Sequence, residues 1–66
     1  MENPKLGEKI DYGSLGNARM IGRIVEIDNK RAGVLIGARV AVEWDEPAEI
    51  KGQISDWIPA SALNRA

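Results

Sequence analysis

The chain has 66 residues, a formal net charge of −1, no cysteine and no histidine. Such a length makes one small domain, and the missing residue types exclude disulfide staples, thiolate metal sites and the usual general base of neutral-pH catalysis. With 44% hydrophobic and 29% charged residues the composition is that of a folded domain, and its uncharged apolar stretch Ala32 to Ala38 is far shorter than the roughly 20 residues of a membrane-spanning helix.

Residues 1–6 are expected to form a flexible N-terminal arm, and residues 7–66 a single domain. The opening Met1-Glu2-Asn3-Pro4-Lys5 lacks the basic start and apolar core of a signal peptide, so a cytoplasmic setting is expected. The first strand is predicted over Glu8 to Tyr12, followed by a loop through Gly13-Ser14-Leu15-Gly16-Asn17. A second strand is predicted from Arg19 to Asp28. Its alternation breaks near Val25, because Ile24 and Ile27 cannot share a face of a regular strand. A bulge or strong coil at Gly22 or Glu26 would reconcile them.

Asp28-Asn29-Lys30-Arg31-Ala32-Gly33 reads as a polar turn, and a third strand is predicted within Val34 to Asp45. Val40, Val42 and Trp44 alternate with Arg39, Ala41, Glu43 and Asp45, the inside–outside pattern of an antiparallel sheet. Glu46-Pro47-Ala48-Glu49 turns the chain, since proline cannot donate to a central ladder. Gln53 to Ile58 is expected as a fourth strand, and Pro59 to Leu63 as one short helical turn. Four or five short strands joined by tight turns cannot bury a core as a flat sheet, so an all-β closed barrel of antiparallel strands is expected, with a helical turn near the C-terminus.

Charge is unevenly distributed. Arg19, Arg23, Lys30, Arg31 and Arg39 face only Glu26 and Asp28 within their stretch of sequence, whereas Glu43, Asp45, Glu46, Glu49 and Asp56 face only Lys51. The five basic residues are candidates for phosphate contacts. Strict alternation with Ile54 and Ile58 inward turns Trp57 outward, where it can anchor a protein contact or stack on a base, and Asp56 inward, near a barrel end. Tyr12 is a second candidate for stacking, and Trp44 continues the Val40–Val42 stripe into the core. No phosphate loop, metal-ligand cluster or acid pair at an interpretable spacing is present, so neither a cofactor nor a catalytic residue is expected.

In chain order, Gly7-Glu8-Lys9-Ile10, Ile21-Gly22-Arg23-Ile24-Val25-Glu26-Ile27, Val40-Ala41-Val42-Glu43-Trp44-Asp45 and Trp57-Ile58-Pro59-Ala60-Ser61-Ala62-Leu63 resemble the SH3-like barrels, and the Gly-x-Ile piece resembles their KOW and Tudor-like branch. The resemblance covers nearly the whole chain and implies a fold whose members serve peptide binding, nucleic-acid binding and assembly alike. Ala41-Val42-Glu43 and Pro59 to Leu63 also resemble part of the plasmid-borne type II dihydrofolate reductases. Ser55-Asp56-Trp57-Ile58 stand where that family carries Val-Gln-Ile-Tyr before the proline, so the resemblance stops short of the active site. The expectation is a non-enzymatic module that binds a protein partner or another copy of itself, with nucleic acid as the alternative ligand and no membrane role.

Overall fold

A computed structural model describes residues 3–13, 19–28 and 38–66. Where β-branched and apolar residues alternate with polar ones the chain is extended: β1 spans Lys9–Tyr12, β2 Met20–Asp28 and β3 Arg39–Glu46. A 3-10 turn at Ala48–Ile50 follows the cis Glu46–Pro47 bond. Lys51 and Gly52 then form a type II turn closed by the Gln53 amide on the Ile50 carbonyl, with Gly52 at φ +85° where a side chain would be strained. The two-residue strand β4, Ile58–Pro59, leads through a second 3-10 turn, Ala60–Ala62, into β5, Asn64–Arg65.

All pairings are antiparallel and the sheet order is β4-β3-β2-β1-β5. The two outermost strands are therefore neighbours in sequence. Four strand spacings would separate them by about 19 Å in a flat sheet, while the link from Pro59 to Asn64 reaches only about 17 Å even fully extended. That link contains a 3-10 turn, which is shorter still. The sheet must curl, and the result is an all-β, barrel-like fold with a helical turn joining its edges.

The inner face carries the core: Ile10, Ile24, Val40, Val42, Trp44, Ala60 and Leu63, with Met20, Ile27, Ile50 and Ile58 packed against it. Two register shifts lie in the β2–β3 ladder. Ile21 faces Glu46 but Gly22 faces Trp44, so Asp45 is the extra residue. Ile24 faces Val42 but Glu26 faces Ala41, so Val25 is the extra one. The second bulge returns Ile27 to the face of Ile24, as the broken alternation requires. Gly22 sits where the strands crowd: a Cβ there would meet the Glu43 carbonyl oxygen and Val42 Cγ1, each at 2.5 Å. Against Val42 and Glu43 of β3 only a hydrogen fits.

Several expectations need correction. The fourth strand does not run from Gln53 to Ile58; it is an isolated bridge between Ile54 and Glu43 followed, after a break, by β4. Glu43 pairs with Ile54 but Val40 pairs with Ile58, so this segment holds one residue more than β3 opposite it. Ser55 fills the gap: its amide donates to the Val42 carbonyl (2.8 Å) and its hydroxyl accepts from the Val42 amide (2.9 Å). With alternation broken, Ile54 is not inward but 62% exposed, and Asp56 is exposed as well. Ala41, on the polar side of its strand, is buried at 5%. The polar dipeptide Asn64-Arg65, which carries no strand signal of its own, closes the sheet against Ile10 and Asp11 of β1.

Residues 3–8 are tied to the sheet at several points. The Gly7 amide donates to the Ile24 carbonyl, the Ile24 amide to the Glu8 carbonyl, and the Arg65 guanidinium to Glu8 Oε2 and the Asn3 carbonyl. The Ser14–Asn17 part of the first loop, the polar turn beyond Asp28 and the predicted start of the third strand at Val34 lie outside the described residues.

Candidate functional site

The outward face of the sheet is organised in cross-strand rows. One row reads Lys9, Arg23, Glu43, Ile54 across four successive segments, and another reads Asp28, Arg39, Pro59. Register, more than sequence proximity, decides which charges meet. Arg23 lies between Lys9 and Glu43, and its guanidinium donates to the Gly7 carbonyl at 3.3 Å. Arg19 Nη1 lies 3.5 Å from Asp11 Oδ2. Arg39 has Asp28 as its cross-strand neighbour and is half-buried, with Nε enclosed and, among the described residues, without a hydrogen-bond partner.

These three arginines do not form one cluster. Successive members are separated by about 13 Å of strand, and each has a carboxylate beside it in register or in contact. Lys30 and Arg31 lie outside the described residues. A basic run in the sequence has thus become, in its described part, a face of interleaved charges.

The aromatics divide into three roles. Trp44, 7% exposed, is core as its stripe demands. Tyr12, 39% exposed, leans on it with ring centroids 6.2 Å apart and a 35° tilt; part of its face is used within the molecule. Trp57, 38% exposed, lies in the irregular stretch between Ser55 and Ile58, where Asp56 and Trp57 together stand opposite Ala41.

The register also reveals a feature that alternation concealed. Ser55 donates inward to Val42 and Gln53 accepts from the Trp44 amide at 2.9 Å, so the N–H and C=O of the intervening Ile54 point away from β3. Among the described residues neither has a hydrogen-bond partner. Exposed carboxylates border this edge: Glu43 is the bridge partner of Ile54, Glu49 is linked through its carbonyl to the Gln53 side chain, and Asp56 lies two residues on. The acidic stretch was visible in the sequence, but its gathering around a free backbone edge was not.

Chemistry has few groups to use. The Ser55 hydroxyl is committed on both sides, accepting from Val42 and donating to the Asp56 carbonyl at 2.8 Å. Among the described residues no group of three or more acidic, cysteine or histidine side chains could hold a metal ion, and no helix is long and apolar enough to cross a membrane. No protein-family model, curated protein or solved structure matches the chain.

Proposed function

We propose that this chain is a small, non-catalytic binding module of the SH3-like type whose ligand is another protein, a second copy of itself included. The observation that carries the reading is the pairing of Ile54 and Trp57: two large apolar side chains exposed within four residues, on the least regular segment of the sheet. Side chains of this kind are the usual anchors of protein interfaces. The short turn joining the two edge strands supports the SH3-like assignment, and the lack of histidine and cysteine, the commonest general base and nucleophilic thiol, supports a role without catalysis.

A second reading, nucleic-acid binding, is favoured by Arg39, whose enclosed Nε has no partner among the described residues, together with the exposed faces of Trp57 and Tyr12. The carboxylates beside Arg19, Arg23 and Arg39 weigh against it, because a phosphate backbone needs a net positive track. Sedimentation velocity from micromolar to millimolar concentration tests the first reading in its self-associating form: a heavier species that grows with concentration would make a second copy the ligand, and a strict monomer would leave a different protein as the partner. In parallel, an NMR titration with mixed single-stranded and duplex oligonucleotides at low salt should leave Arg19, Arg23 and Arg39 unperturbed. Shifts there that salt reverses, with a monomer throughout, would replace the first reading by the second.

A further inference from the structure

The outward edge at Ile54 specifies a kind of partner. Its N–H and C=O form the hydrogen-bonding pair that an added strand requires, held rigidly because Gln53 and Ser55 on either side are bonded to β3. The Ile54 side chain is exposed and Trp57 lies three residues on. Around them stand Glu43, Glu49 and Asp56, with Lys51 the single cation between Glu43 and Asp56.

That charge pattern selects among occupants. Two copies pairing through this same edge would bring their carboxylates together, a juxtaposition that opposes association. A segment carrying lysine or arginine at alternate positions would meet carboxylates, and its cations could lie over the Trp57 ring. The bulge at Asp56–Trp57 limits the regular edge to a short length, so the segment bound is short.

We propose that the open edge at Ile54, with Trp57 beside it and Glu43, Glu49 and Asp56 around it, takes an extended, lysine- or arginine-bearing segment of a partner protein by strand addition. This rests on the protein-interaction reading and deepens it.

The test is an NMR titration of the full chain with a peptide of about eight residues alternating lysine and valine, at moderate salt. The largest shifts are expected at the Ile54 and Trp57 amides, with slowed hydrogen exchange at Ile54. The decisive variant is Ile54→Pro, which removes the outward N–H without touching a bond to β3; retained amide dispersion elsewhere shows that it folds. Affinity should fall at least about tenfold. Should Ile54→Pro fail to fold, the double charge reversal Glu49→Lys with Asp56→Lys, both at exposed positions, is expected to give a similar loss. A glutamate–valine peptide should not bind.

Equal affinity for the acidic peptide, binding indifferent to both variants, shifts centred on another face, or no shift at millimolar peptide each overturns the edge assignment. Self-association seen by sedimentation alongside such a result would leave the module reading standing. A strict monomer whose only ligand is an oligonucleotide would remove both.

Discussion

The third strand, β3, has a different kind of neighbour on each side. Toward β2 it makes seven register pairs, and two single-residue bulges adjust the ladder without ending it. Toward the C-terminal segment it makes one bridge, a break spanned by the Ser55 side chain, and two pairs. On the β2 side the apolar inner face fixes register, since a slip by one residue would expose Ile24, Val40 and Val42 together. On the other side one hydroxyl and one extra residue suffice to release Ile54 and Asp56 from the inside–outside rule. Stability is concentrated in the first ladder, and the groups free to meet a partner are concentrated along the second.

Three substitutions sharpen this contrast, in descending order of effect. Ile24→Ala empties a fully buried position on β2 and should cost about 2–5 kcal/mol. That is a large share of the roughly 3–10 kcal/mol expected for a domain of this length, and urea denaturation followed by circular dichroism measures it. Gly22→Ala places a methyl group 2.5 Å from the Glu43 carbonyl oxygen and Val42 Cγ1. Strands must part there, so a loss of about 1–3 kcal/mol is expected in thermal melts; an unchanged midpoint would mean that the close approach of β2 and β3 is looser than described.

Ser55→Ala takes the acceptor from the part-buried Val42 amide and should cost about 1–2 kcal/mol. Its effect should be local, with faster hydrogen exchange at Val42 and along the Ile54–Trp57 segment while Ile24 and Val40 stay protected. Equal acceleration in both ladders would show that the two sides of β3 open as one unit, and the contrast would dissolve.

Much of the fold is legible in the residues. The Val40-Val42-Trp44 stripe marks an inner face that the structure confirms, and the clash between Ile24 and Ile27 requires a bulge that occurs at Val25. The helical turn before Leu63 follows from its proline and small residues. What escaped was decided by single polar atoms: alternation has no term for a serine hydroxyl that replaces a backbone carbonyl, so Ile54 and Asp56 were expected on the inside. Asn64-Arg65 becomes a strand only because the turn before it delivers it to β1. For the site, residue types were legible and neighbourhoods were not. Arg23 and Arg39 belong to one basic run in sequence, yet each finds a carboxylate across the ladder.

The short turn that joins the two edges of the sheet also bears on the order in which the molecule assembles. Its β2–β3 contacts link neighbouring strands, whereas β5 must find β1 from the opposite end of the sequence. Loop-closure entropy makes that long-range pairing the costlier one to form early. The C-terminal strand is thus a latch on a sheet already in place: contacts made by Leu63 and Arg65 govern how fast the curled sheet reopens more than how fast the chain first collapses.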